Sequence, residues 1–454
     1  MKSNRCEVVA QELDDAGAGV GPTANRVVHV ADLLPGERAE VAIDHHSPHK
    51  PDAWGHIVRR LGPASRDRVP PECPAFGRCG GCTWQHLAYP AQLVAKRRRV
   101  EIALADILAI DTLGARVAPV RPSPTITGYR NKGKYVVGRT ADDKLVLGAY
   151  APRSHHVIDT IGCRVVAPVI DEIAAWVRGA AESAKLVAYD EKARTGELRY
   201  VIIREAAGDV MVALVVSSGT PRAKLELVSS SLAEHPAVRG LVAIENDRRD
   251  GAIVPAGSSS QVLMGQGHLL EEIAGVSVEV GAGEFVQLNR PQAAAMYARV
   301  AELASLTATT RAVDLFAGLG GIGLHLARAG ATVVSVEIDR DAVAQLRRAA
   351  DRAGLPLTAI AGDAGDLSEE VRAQLGAAPD VVVVNPPRKG LSDGACELLH
   401  ELRAPIVIYV SCGPEALGKD LVTLAAHGYA PDVIEPFDLM PGTAQVETVV
   451  RLRR

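Results

Sequence analysis

The chain reads as an α/β protein. A Rossmann-like parallel sheet is expected from Phe285 onward, an OB-like β-barrel at the N-terminus, and an α+β domain between them. Three observations predict this. After residue 285, continuously apolar runs such as 381–384 alternate with helical stretches, the pattern of parallel strands buried on both faces. Residues 1–62 hold short β-prone runs broken by Gly, Pro and Asp turns. The stretch between mixes the two periodicities, and a length of 454 residues suits about three domains.

In the first module, 6–10, 26–30, 40–43 and 55–59 read as strands, and five short strands at this spacing suit an OB-like barrel, a common nucleic-acid platform. Residues 63–85 are rich in Pro, Gly and Cys without periodicity, so a bound metal group is expected to organise them; 86–118 read as helical. From 119 to 284 the strands are 134–138, 198–204, 210–216, 241–246 and 276–280, with a helix over 168–185. Beyond Asn289 a helix leads to strands 311–316, 332–337, 357–363, 380–385 and 405–411, and 446–452 reads as a late strand of the same sheet.

The 47% hydrophobic content is ample for packed cores, whereas 4% aromatic content makes any nucleic-acid contact depend on charge more than on aromatic platforms. The N-terminus has no apolar signal core, and no apolar run reaches the roughly 18 residues of a membrane helix. A cytoplasmic protein with no membrane partner is expected. Net charge is only −4, yet residues 50–139 carry 16 Lys or Arg against six Asp or Glu. That imbalance marks a candidate phosphate-binding face, the alternative being a solvated helix carrying Lys96 to Arg99. Seven cysteines without a secretion signal do not suggest disulfides. Cys73, Cys79 and Cys82 share one short loop, and Cys163 is the expected fourth thiol. Four thiolates suit zinc or an iron–sulfur cluster alike.

Asp314-Leu-Phe-Ala-Gly-Leu-Gly-Gly-Ile-Gly323 follows the first core strand and opens a helix. Its glycines, Gly318 and Gly321 among them, permit a tight turn and close approach to a ligand. A dinucleotide would suit such a loop equally. Acids at three successive strand ends favour S-adenosylmethionine: Asp314 for its cationic end, Glu337 for the ribose hydroxyls, Asp363 for the adenine. Asn385-Pro-Pro-Arg-Lys-Gly390 ends the fourth strand and Ser411-Cys412-Gly413 the fifth, where open α/β sheets bind ligands. Cys412, just before a helix, is a candidate nucleophile whose pKa a helix N-terminus would lower. Glu447 is the candidate general base; the alternative is a surface carboxylate.

On these motifs the chain resembles the bacterial RNA uridine-C5 methyltransferases that act on 23S rRNA or on the tRNA T-loop, over nearly its whole length. Residues 1–62 look like a TRAM domain, with Pro35-Gly36-Glu37, and Cys73, Cys79, Cys82 and Gln85-His86 with Cys163 are similar to the family's 4Fe-4S ligands. Phe285-Val-Gln287-Leu-Asn289, Asp314-Leu-Phe316, Ser411-Cys412 and Glu447 match in order and spacing. The resemblance implies a class I methyltransferase core with Cys412 as nucleophile and Glu447 as base. It places Gln287, Phe316, Gly321, Glu337, Asp363 and Asn385 around S-adenosylmethionine. Arg130, Lys132, Lys134 and Arg388 are the expected RNA contacts, in a monomer. The implied domains are 1–62, then 63–85 with 119–284, then 86–118 with 285–454. Ala317, Gly321, Asn385, Gly442 and Gln445 depart from the commoner family residues, the last two at positions usually held by histidine before the base. 23S rRNA is the expected substrate and tRNA the alternative. The rival readings are an N-methyltransferase on an exocyclic amine, from Asn-Pro-Pro, and a non-catalytic metal-stapled RNA-binding protein. Arg388 where such N-methyltransferases carry an aromatic residue, and Cys412 with Glu447, weigh against both.

Overall fold

A computed structural model describes the chain except residues 1–4, 110–115, 256, 257, 259 and 367 and the side chain of residue 368. The helix expected over 86–118 therefore lies partly outside the described residues; within them it runs Tyr89–Ala103, followed by Ala105–Leu108.

The N-terminal module is a six-stranded sheet rather than a five-stranded one. Its strands are Arg5–Val9, Glu12–Leu13, Gly19–Pro22, Val27–Val30, Arg38–His46 and Asp52–Arg60. The sheet curls until the third strand abuts the first. A Cβ on Gly21 would sit 2.2 Å from the Val9 carbonyl oxygen, so only glycine fits there. Val8, Val28, Val30 and Val41 fill the interior.

The central domain is a seven-stranded sheet with helices Pro168–Ser183 and Arg222–Leu232 packed on one face. The strand Val276–Val280 does not belong to it. It pairs antiparallel with Leu269–Ile273, and this hairpin packs on the C-terminal core.

The C-terminal core is a second seven-stranded sheet, built from Arg311–Leu315, Thr332–Glu337, Leu357–Ala361, Val381–Val384, Ile406–Ser411, Ala430–Phe437 and Glu447–Arg453. In space the order is third, second, first, fourth, fifth, seventh, sixth. The first five strands are parallel, whereas the seventh inserts antiparallel between the fifth and the sixth. Apolar side chains cover both faces, as their unbroken valine and isoleucine runs require.

Helix Tyr89–Ala103 joins this core through Val100, which packs with Leu104, Ile107 and Leu417. Its basic run does not form a free cationic face. Lys96 is wholly buried and its Nζ donates to Asp438 Oδ1 at 2.6 Å, also in the interior. Arg99 pairs with Asp15 and with Glu415, and Arg97 with Glu101. Removing one partner of a buried ion pair strands the other charge in a poorly solvating interior. Lys96→Met should therefore destabilise the protein by about 3–5 kcal/mol, read as a lower unfolding midpoint in denaturant. Among the described residues no helix is long and apolar enough to cross a membrane.

Candidate active site

The loop 316–320 follows the carboxyl end of the first core strand, the side of an open α/β sheet where ligands bind. Phe316 holds φ at +62°, a left-handed conformation unusual for a side chain of this size, and Gly318 and Gly320 follow with positive φ. Helix Gly321–Arg328 starts immediately after. A Cβ on Gly323 would lie 2.9 Å from Asp314 Oδ2, which lets the helix press its first turn onto the strand.

Asp314 is buried beneath that turn. Its Oδ2 accepts the Gly323 N–H at 2.9 Å, while its Oδ1 is buried with no partner. Burial pushes the carboxyl up to about 7; the Gly323 bond opposes the rise and nearby Glu337 adds to it. A half-satisfied carboxylate at a strand end is ready for a cationic hydrogen-bond donor. Glu337 is half-buried, accepting the N–H groups of Gly318 at 2.8 Å and Asp339 at 2.9 Å. Asp363 is exposed and lies two residues beyond its strand, which ends at Ala361; its Oδ1 takes the Gly365 N–H at 2.8 Å.

Asn385 follows the fourth strand, half-buried, its main-chain N–H donating to Leu315 O at 3.3 Å. Cys412 follows the fifth. The antiparallel seventh strand pairs Val449 with Val410 and Thr448 with Ser411. Continuing that register by one residue sets Glu447 opposite Cys412. Burial pushes the Cys412 thiol up and Glu447 pushes it further, while the Arg388 guanidinium pulls it down. The net shift is upward, not the lowering expected at a helix N-terminus, with burial its largest cause. Glu447 is itself raised to about 7 by burial, against the pull of Arg388, and its Oε2 is buried without a partner.

Tyr297, on helix Arg290–Leu303, was not legible as a site residue. Its ring lies where a Gly321 Cβ would come within 3.0 Å. Burial and then Glu447 and Asp314 push its hydroxyl up, with Gln287 acting the other way. It therefore joins the two carboxylates and Gln287 into one constellation. No local motif marks it; only the turn of the helix after Asn289 brings it inward.

The four cysteines Cys73, Cys79, Cys82 and Cys163 line a single cavity of about 120 Å³ together with Arg130, Lys132 and Lys134. Burial pushes the thiols of Cys79 and Cys82 up, and Arg130 draws both back toward the thiolate. Among the described residues no three His, Cys, Asp or Glu side chains gather as they would around one metal ion. Of the expected RNA contacts, Lys134 and Arg388 are exposed, Arg130 is half-buried beside the cysteines, and Lys132 is buried, its Nζ donating to Glu284 O at 3.1 Å.

Known proteins share this architecture. The family described as tRNA (Uracil-5-)-methyltransferase matches residues 376–454, and one described as RNA cap guanine-N2 methyltransferase matches 309–396. An uncharacterized RNA methyltransferase of Halalkalibacterium halodurans is 31% identical, covering 99% of this chain and 97% of its own length. Another, from Thermosynechococcus vestitus, is 32% identical over 98% of this chain and 97% of itself. Among solved structures, the Pyrococcus abyssi tRNA (uracil-54, C5)-methyltransferase in complex with S-adenosyl-L-homocysteine shares the fold, with a TM-score of 0.76 at 23% identity, covering 98% of this chain and 100% of that one. With the full-length RNA methyltransferase relatives and the matched C-terminal family segment that carries Cys412 and Glu447, the chain belongs to the RNA uridine-C5 methyltransferase family.

Proposed function

We propose that the protein transfers a methyl group from S-adenosylmethionine to C5 of a uridine in 23S rRNA, through a covalent adduct with Cys412. The observation that carries this reading is the opposition of Cys412 and Glu447 at the ends of two antiparallel strands, in the same sheet whose first and second strands carry Asp314 and Glu337. C5 of uracil is too weak a nucleophile to take a methyl group unaided. Cys412 Sγ adds to C6, and the electron pair displaced toward C5 makes that carbon nucleophilic. S-adenosylmethionine, when bound, supplies the methyl group and leaves as the neutral thioether. Glu447 then takes the C5 proton, C5=C6 re-forms and the C6–Sγ bond breaks, returning the thiolate. A base whose pKa lies near the working pH suits this step. Arg388, beside both groups, favours the charged forms of each.

Gln287, Phe316, Gly318, Gly321, Asp363 and Asn385 complete the cofactor crevice in this reading, with Asp314 facing the cationic end. Asp314→Asn should weaken cofactor affinity roughly 10–100-fold, measured calorimetrically. The sign of the pH dependence follows from the raised carboxyl: it is neutral below about 7, so wild-type affinity should fall as pH drops through that value. An affinity flat between pH 6 and 8 would remove Asp314 from that role.

The four cysteines are proposed to hold a 4Fe-4S cluster. What supports this is the cavity the four cysteines share and their likeness in order and spacing to the family's cluster ligands. The six-stranded barrel and the exposed Lys134 and Arg388 are proposed to meet RNA. The proposed division is 1–62, 63–85 with 119–284, and 86–118 with 285–454; the three large sheets support it, while the hairpin Leu269–Ile273 with Val276–Val280 packs across the last boundary on the C-terminal core. Substrate choice is tested by offering unmodified 23S rRNA and unmodified tRNA separately with labelled cofactor. Label in 23S rRNA alone is expected; label in tRNA alone would reassign the substrate.

A further inference from the structure

The cysteine cavity and the catalytic pair share one loop. Residues 438–446 lead directly into Glu447 and contain no strand or helix of their own, yet they are held at successive points. Trp84, two residues after Cys82, donates its main-chain N–H to the Gly442 carbonyl at 2.9 Å. Gln92 closes the same contact from the other side: its Oε1 accepts the Gly442 N–H at 2.9 Å, and its Nε2 donates to Trp84 O at 3.1 Å. The Tyr129 hydroxyl, adjacent in sequence to Arg130 of the cavity wall, donates to Pro441 O at 3.0 Å. Gly442 has φ +78°, and a Cβ there would lie 3.2 Å from Gln85 Cγ and 3.8 Å from Cys82 Cβ. The cysteine loop thus rests on the main chain five residues before the base.

We infer that the cysteine centre is the positioning device for Glu447: by fixing the 82–85 loop against Gly442 it sets the carboxylate against the C5 proton. This rests on the reading of Glu447 as base and of the cysteines as cluster ligands. The physical reason is one of order. A carboxylate on the first residue of a strand, where pairing is weakest, holds its place more firmly when the main chain entering that strand is pinned, and a misplacement of about 1 Å can cost on the order of 10²-fold in rate. Methyl transfer needs Cys412, which the parallel fifth strand places independently of this loop. Elimination needs Glu447, the first residue of the seventh strand, which sits where the pinned loop ends and strand pairing begins. Disturbing the cysteine centre should therefore separate the two steps: the C5 methyl group is added, the C5 proton stays, and the Sγ–C6 bond persists.

The test compares wild type, cluster-depleted protein, Gly442→Ala and Tyr129→Phe in single turnover with labelled cofactor and RNA. It follows methyl incorporation and, on denaturing gels, protein covalently joined to RNA. Gly442→Ala, with iron and sulfide content equal to wild type, should methylate within about twofold of the normal rate but release RNA on the order of 10²-fold more slowly, so that the joined species accumulates. Tyr129→Phe should show a smaller accumulation, and the depleted protein, if it stays folded by circular dichroism, a large one. Where depletion unfolds the chain, the two substituted proteins decide alone. Release at the wild-type rate from both of them overturns the inference. Failure of the underlying reading looks different: Glu447→Gln would then release RNA normally, or the wild type would carry no iron and sulfide.

Discussion

Cys412→Ala should abolish methyl transfer while leaving cofactor binding within about twofold of wild type. The loss should reach on the order of 10⁴-fold or more, the scale seen when a covalent nucleophile is removed. Without the thiol nothing pushes electron density to C5. Cofactor binding survives because Asp314 and Glu337 lie on the first and second core strands, with Cys412 beyond the fifth. Rate and affinity must be measured on the same preparation. Residual turnover within about tenfold of wild type would exclude the covalent route.

Glu447→Gln is expected to divide the reaction rather than stop it. The methyl group should be added once, after which the C5 proton has no acceptor and protein stays joined to RNA through Cys412. The accumulated species should carry one labelled methyl group per protein and survive denaturation. In the wild type the release step should accelerate as pH rises through about 7, where the buried carboxyl ionises, and the substituted protein should lose that dependence. The same burial has a consequence for stability. A carboxyl whose folded pKa is raised binds a proton that the unfolded chain has already lost, so between its ordinary value and about 7 stability declines with rising pH. Above that window Glu447→Gln should melt higher than wild type, by roughly 2–4 °C for each 1 kcal/mol recovered. A protein that becomes steadier as it loses turnover is the expected signature of a half-buried active-site carboxylate with one oxygen cut off from water.

The parts legible in the sequence were those written locally. Apolar stretches alternating with helical ones marked the first five core strands, most plainly Val381–Val384, and acids near strand ends marked Asp314 and Glu337. The sixth core strand, Ala430–Phe437, was not visible because Pro431, Asp432 and Pro436 interrupt its apolar pattern; it lies at the sheet edge, where prolines are tolerated. The barrel strand Gly19–Pro22 was hidden for a related reason, since glycines there serve close packing against Val9 and not strand propensity. Strand Val276–Val280 was visible, but its partner was not, because pairing is a tertiary choice.

In the site, Cys412 and Glu447 were each legible, whereas their opposition was not. It depends on the antiparallel insertion of the last strand beside the fifth. The direction of the thiol shift was also beyond a local reading: a helix follows Cys412, but burial, and after it Glu447, 35 positions on, push the thiol up. The basic run at Lys96 to Arg99 looked like a surface from composition alone, and Asp438, Asp15 and Glu415, distant in sequence, turn Lys96 and Arg99 inward.

The most direct test of the central claim is the chemical identity of the product. Anaerobically prepared protein, incubated with labelled S-adenosylmethionine and unmodified RNA, should yield label that co-migrates with 5-methyluridine once the RNA is digested to nucleosides. Label in methylated adenosine or guanosine would contradict the account and make the Asn385-Pro-Pro segment the site of exocyclic amine methylation.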